Sequence, residues 1–159
     1  SLTCSALYTF TTIKPQRVTF MFEIKTDDAL FRFSFVERVE EPEDRRQDLI
    51  ICWLEAQGSG ISLGCECEFS LFDLEELRDK LTQFWHCLSN NQAPVPVVYA
   101  PRVNTFQFDI HHAIDAYAIG FNFKIMPNRL SLWTLEGGML IDESYFPGLI
   151  HGINSILTN

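Results

Sequence analysis

Residues 17–37 read RVTFMFEIKTDDALFRFSFVE, and this stretch decides the fold. On either side of Asp27-Asp28 every second residue is apolar, which is the period of a half-buried strand. The residues that share a face in this way are Val18, Phe20, Phe22 and Ile24 in the first run and Phe31, Phe33 and Phe35 in the second. The two aspartates supply a turn, so residues 17–25 and 29–37 are predicted to form an antiparallel hairpin.

Two further strands are predicted directly after the hairpin. Residues 49–55 are nearly all apolar, which is typical of a central strand that is buried on both faces. The glycines of residues 57–60 turn the chain, and residues 61–69 then alternate, with Glu66 and Glu68 opposite the apolar face. Cys65 and Cys67 lie on that apolar face, so we expect both to be buried core residues rather than metal ligands.

Two amphipathic helices are predicted. The first begins after Ser70, which with Asp73 forms a variant of the capping box, and its apolar residues recur every three or four positions as far as Leu88. The second begins near Ser144 and has Pro147 in its first turn, where the missing N–H costs nothing. Residues 149–157 supply the apolar stripe of this second helix.

Between the helices, residues 97–100, 106–110, 117–125 and 130–134 are predicted to be extended, and Gly137-Gly138 to turn the chain into a strand at 139–141. A series of strands followed by a helix therefore occurs twice. The sequence predicts an α+β fold, an antiparallel sheet of roughly seven to nine strands with two packed helices. Residues 17–159 form a single domain in this interpretation, and residues 1–16 are an N-terminal extension.

The charge is strongly negative and uneven. The chain carries 21 acidic and 12 basic residues, a net charge of −9, so we expect neither nucleic acid nor a membrane as a partner. The densest acidic stretch lies within residues 37–48, and its candidate partner-binding residues are Glu37, Glu40, Glu41, Glu43, Asp44 and Asp48. These acids alternate with arginines and could simply neutralise them. Alternatively, they form an acidic lip that engages a basic partner.

Catalytic and metal-binding motifs are lacking. Five cysteines, an odd number with no Cys-x-x-Cys spacing, indicate free thiols in a reducing cytoplasm rather than disulfides or a zinc site. His111 and His112 point to opposite faces of a strand, and Cys87 could serve as a nucleophile with His111 only if the fold brought them together. We expect no enzymatic activity and no cofactor or metal.

Taken in order, these features resemble the WapI-type family of bacterial immunity proteins. The residues that carry the resemblance are Asp48-Leu-Ile-Ile-Cys-Trp-Leu54 after the acidic stretch, the helix Asp73-Leu-Glu-Glu-Leu-Arg-Asp-Lys-Leu81 and the C-terminal helix at 144–157. The resemblance covers residues 17–157. The chain departs from the family in its N-terminal extension and in lacking a strong proline ending.

The resemblance implies an immunity protein that binds and blocks a cognate toxin domain, with no catalytic residues of its own. A nuclease toxin would suit the acidic charge, because its substrate groove must be basic. Two other interpretations remain open: a small ligand-binding or enzymatic α+β domain with a pocket between sheet and helices, and an acidic adaptor without a toxin partner. Homo-oligomerisation is not indicated by the sequence.

Overall fold

The computed structural model describes residues 20–112, 118–128, 130 and 132–159, and within them the chain has an α+β fold of eight strands and two helices. The first half comprises β1 (Met21–Lys25), β2 (Ala29–Val39), β3 (Leu49–Gly58), β4 (Ile61–Ser70) and helix α1 (Leu71–Ser89). The second half comprises β5 (Val97–Tyr99), β6 (Phe106–His112), β7 (Ile119–Ile125), β8 (Leu135–Ile141) and helix α2 (Tyr145–Leu157). The predicted extension at 1–16, together with Val18 and Tyr117, lies outside the described residues.

The strands form two antiparallel sheets of four strands each. Sheet I has the order β1-β2-β3-β4 and sheet II the order β5-β6-β7-β8. The predicted fold class and the repeated order of strands and helix are confirmed. The expected single sheet is thus divided in two, and the division falls between β4 and β5, where α1 lies in the chain. Alternation assigns a residue to a face, but it does not say to which sheet a strand belongs.

Phenylalanine side chains from both sheets form the core. Phe22 lies 5.8 Å from Phe108 and Phe31 lies 5.1 Å from Phe121, measured between ring centroids. All four rings are almost completely buried, and such aromatic contacts stabilise beyond the area that they bury. The inner faces of the two sheets therefore pack against each other, which leaves the opposite faces outermost.

The two helices complete this core: they pack on each other, α2 packs on β1, and α1 packs on β4 and β5. Ser70 and Asp73 form the reciprocal capping box that the sequence predicts, which fixes the start of α1 at the end of β4. The rings of Phe84 on α1 and Phe146 on α2 stack with their centroids 5.2 Å apart. At Gly152, α2 approaches β1 so closely that a Cβ would lie 1.9 Å from the carbonyl oxygen of Met21. Neither helix combines the length and the apolar composition that crossing a bilayer requires, among the described residues.

Three local predictions are wrong. Strand β3 is buried on one face only, because Trp53 on its other face is 43% exposed. Gly137 and Gly138 do not form a turn but lie within β8, where a Cβ at Gly137 would meet the ring of Phe123 at 2.6 Å. Leu130 and Leu132 are fully exposed outside any strand. The two glycines allow β8 to run close beside the bulky side chains of β7.

Candidate binding surface

Most of the acidic residues that the sequence singled out are exposed. The acidic segment, residues 40–44, follows β2 and precedes a short 3-10 helix at Arg45–Gln47, while Glu37 lies within β2 itself. Glu37, Glu40, Glu41, Glu43 and Asp44 are all exposed. The acidic stretch within residues 37–48 is therefore not a single loop, since residues 37–39 belong to β2.

Asp48 is the exception among the predicted partner-binding residues, because its side chain is buried. Its side chain is 1% exposed and accepts hydrogen bonds from the backbone N–H of Glu41 at 2.8 Å and from Arg38 at 2.7 and 2.9 Å. The backbone hydrogen bond from Glu41, followed by the guanidinium of Arg38, lowers the pKa of Asp48. Asp48 therefore holds the acidic segment against the domain from within.

Arg38 extends this attachment to the C-terminus of the chain. Its Nη1 donates to the carbonyl oxygen of Asn159 at 3.0 Å and to that of Leu157 at 3.4 Å, at the end of α2. A guanidinium is favourable there because the last carbonyls of a helix carry partial negative charge. One arginine thus joins β2, the acidic segment and α2, and the exposed carboxylates are presented on a fixed base.

A β-bulge places Glu37 beside residues from other strands. The register between β2 and β3 shifts between Phe35 and Glu37, so that Glu37 pairs with Ile51 and, through it, with Glu68 on β4. A bulge inserts one extra residue, here Val36, and changes the face to which the following side chains point. Glu37 therefore belongs to the outer face of sheet I as well as adjoining the acidic segment.

The outer face of sheet I is acidic. Its charged side chains are those of Glu23, Glu37, Glu55, Glu66 and Glu68 against Lys25 and Arg32, a balance of −3. Arg32 lies between two of the acids, donating from Nη1 to Glu23 at 3.0 Å and from Nε to Glu55 at 2.9 Å. Glu66 forms no ion pair with any described residue. The face therefore presents unbalanced carboxylates to solvent.

Trp53 lies in the middle of this outer face. It is paired with Ser34 on one side and with Glu66 on the other. Sequence reasoning missed this residue because it occurs in an almost wholly apolar run, which predicted burial on both faces. The signal that could have found it is Glu55, which lies two residues further along β3 and therefore on the same face. The predicted solvent-facing acids Glu66 and Glu68 lie there too.

The groups with nucleophilic or metal-binding chemistry lie elsewhere. Burial raises the pKa of Cys52 to about 12 and also raises that of Cys67, which is 1% exposed, whereas Cys65 is only half-buried. His111 is paired with Asp109, at 2.9 Å from Nδ1 to the carboxylate, rather than with Cys87. No group of three or more potential metal ligands is brought together within the described ranges.

A pocket lies between α1 and sheet II, where the alternative interpretation as a ligand-binding domain expects one. It has a volume of about 730 Å³, and its walls include Leu88, His112, Ile119 and Glu143. The ring of His112 forms no hydrogen bond with a described acid, so this histidine has no carboxylate partner in the pocket with which to act as an acid–base pair. Its geometry does not define a reaction.

Comparisons with known proteins bear on the fold alone. No protein-family model and no curated protein matches the chain. Among solved structures, the chain is similar to the one titled "Structure of the plant transcriptional regulator PBF-2", with a TM-score of 0.50 and 11% sequence identity. The match covers 86% of this chain and 87% of the other. Two chains this different in sequence share an architecture, and an architecture does not determine an activity.

Proposed function

We propose that this chain is an immunity protein that binds a cognate bacterial toxin domain, covers a basic surface of that toxin and catalyses no reaction. The observation that carries the proposal is the acidic outer face of sheet I with Trp53 at its centre. Glu37 makes this face continuous with the exposed acidic segment. A nuclease toxin must have a basic groove to hold phosphates, so the two surfaces would be complementary in charge.

The composition of the face fits a protein partner. Tryptophan is enriched among the residues that dominate binding energy at protein interfaces, and surrounding charges mainly set the association rate and the choice of partner. Asp48 and Arg38 hold the acidic segment in place, so the segment loses less conformational entropy when it binds a partner. The four described cysteines are free thiols, which suits a cytoplasmic site of action.

Charge argues against a nucleic-acid partner, although the similar solved structure is of a protein titled a transcriptional regulator. A polynucleotide is bound chiefly through its phosphates, which release counterions when lysine and arginine replace them. The outer face of sheet I has more carboxylates than cations, and the whole chain has a net charge of −9. Such a surface repels phosphates and attracts the cationic surface that binds them.

The first test is whether a toxin domain is encoded beside the gene for this chain, and the second is whether the chain binds that domain. We expect one-to-one binding without turnover, and a rate of association that falls as salt screens the attraction. In the Glu40→Lys, Glu41→Lys double variant, association should slow by about tenfold and its salt dependence should flatten. Melting temperatures should hardly change, since exposed charges contribute only ~0–1 kcal/mol each.

The matched control is the Asp27→Lys, Asp28→Lys double variant. It changes the net charge by the same amount, but in the exposed turn between β1 and β2, at the other end of sheet I. If the interface includes the acidic segment, this control should bind the toxin nearly as fast as wild type does. Equal slowing of association in both variants would mean that the effect comes from the overall charge of the chain. A toxin that remains active in the presence of the chain would refute the immunity function.

A further inference from the structure

The indole of Trp53 lies on the outer face of sheet I, beside Gly64 of β4. It extends from β3 over Gly64 on β4, where a Cβ would lie 2.9 Å from Cζ2 and 3.3 Å from Nε1 of the ring. Because Gly64 has no side chain, the edge of the indole that carries Nε1 and Cζ2 can lie close to β4. With 43% of the residue exposed, part of the ring is open to solvent.

Two carboxylates flank the ring. Glu66 is directly opposite Trp53 in the sheet register, and Glu55 is directly opposite Gly64. Directly opposite residues have Cβ atoms about 4.5–5.5 Å apart, so the carboxylate of Glu66 lies within reach of a group that is stacked on the indole. Glu55 already binds Arg32, whereas Glu66 is exposed and forms no ion pair with a described residue.

We propose that Trp53 and Glu66 form a site for a guanidinium group, supplied by an arginine of the partner. A cation over the face of an indole is attracted by the negative charge of the ring face, and tryptophan is the best of the aromatic side chains for this contact. A guanidinium is planar, so it stacks on the ring while its edge N–H groups donate to a carboxylate alongside. This inference rests on the proposed function and names the chemical group that the acidic face binds.

The excess of carboxylates favours a guanidinium at this site over an anionic or apolar group. The outer face has five glutamates against two cations, and Arg32 already occupies Glu23 and Glu55. An anionic or purely apolar segment would leave Glu66 unpaired against the partner, which is costly once water is excluded. A lysine ammonium is compact and strongly hydrated, and it stacks less well while binding the carboxylate.

The direct experiment uses N-acetyl-tetra-arginine amide as the probe, with the wild-type chain labelled with ¹⁵N. The indole Nε1–H signal of Trp53 should shift on titration, and that of Trp85 should not, although Trp85 on α1 is also 36% exposed. The corresponding tetra-lysine peptide should bind about threefold to fivefold more weakly. A stationary Trp53 signal, or equal affinity for the two peptides, would overturn the proposal.

Two variants separate this site from general attraction by charge. Trp53→Leu keeps an apolar residue but no ring, and it should weaken tetra-arginine binding by about threefold. Glu66→Gln should weaken it more than its matched control, Glu136→Gln, which removes one exposed carboxylate from sheet II instead. Equal losses in the two glutamine variants would contradict a local site. If Trp53→Leu does not fold, the titration of the wild-type chain with the two peptides still tests the proposal.

The outcomes distinguish the inference from the function on which it rests. The peptide titration contains no toxin, so a specific shift of Trp53 supports the guanidinium site even if no toxin is blocked. Conversely, a Trp53→Leu variant that blocks the toxin with undiminished affinity would refute the inference and leave the immunity function standing.

Discussion

The two halves of the molecule have the same order of elements but differ on their outer surfaces. Both place phenylalanines on the inner face of a four-stranded sheet, because those faces pack against each other. The outer face of sheet I has five glutamates against Lys25 and Arg32. That of sheet II has two acids, Asp109 and Glu136, against Lys124. The shared core therefore constrains the inner residues alike, and only the outer residues are free to specialise.

The helices differ as well. Helix α1 begins with a full capping box, whereas Ser144 before α2 makes no capping hydrogen bond with its side chain. Helix α2 is instead fixed by its packing on β1 at Gly152 and on α1 at Phe146. Local sequence thus determines where the first helix begins, and tertiary contacts hold the second.

The largest effect is expected where α2 meets β1. Gly152→Ala should destabilise the fold by about 1–3 kcal/mol or more, because the new methyl group would overlap the backbone of β1 and force the helix away. Urea unfolding measures the change. Gly148→Ala on the same helix is the matched control: nothing lies within 4 Å of its Cβ position, so it should stabilise by about 0.5–1 kcal/mol. Similar effects of the two substitutions would mean that α2 does not pack on β1 as described.

A smaller effect should distinguish the two helix starts. Ser70→Ala removes a side-chain cap and should cost about 1 kcal/mol in the free energy of unfolding. Ser144→Ala loses only a hydrogen bond to exposed Asp142 and should stay within about 0.5 kcal/mol of wild type. Chemical denaturation of both variants tests the difference. Equal losses would show that α2 depends on its first residue as much as α1 does.

The smallest effect concerns the ion pairs of the two outer faces. A double-mutant cycle with Arg32→Gln and Glu55→Gln should give a coupling energy of about 0.5–1 kcal/mol, because the guanidinium is held by two carboxylates and is only partly exposed. The same cycle for Lys124 and Glu136, 3.8 Å apart and more exposed, should give about zero. A stronger coupling between Lys124 and Glu136 would contradict the view that charged side chains are held in fixed ion pairs on the outer face of sheet I rather than on that of sheet II.

Much of the fold follows from sequence patterns of short range. Period-two alternation located the β1–β2 hairpin, and Ser70 with Asp73 marked the start of α1 at the correct residue. The errors arose where a neighbour in space decides the outcome. Gly137 and Gly138 resemble a turn in isolation, but they lie in β8 because β7 presents Phe123 and Asn122 to them.

The candidate surface was only partly predictable for the same reason. The charge pattern identified the exposed acidic segment, but it could not show that Asp48 turns inward to bind Arg38. Trp53 was missed because it lies in an apolar run, and although Glu55 indicates its face, its neighbours Gly64 and Glu66 belong to the next strand. Pairing between strands, which no single segment encodes, brought the aromatic and acidic residues together.

The extra residue at Val36 makes the inward positions of β2 odd-numbered before it and even-numbered after it. Phe31 and Phe33 point inward on one side of this change of parity, and Arg38 pairs with buried Ile50 on the other. Without the bulge, regular pairing would put Val36 opposite Ile51 and Glu37 opposite Ile50, so Glu37 would turn toward the phenylalanine core and Arg38 away from Asp48. Deletion of Val36 would instead remove the bulge and leave Glu37 opposite Ile51, so a gap in an alignment at this position is compatible with an unchanged outer face.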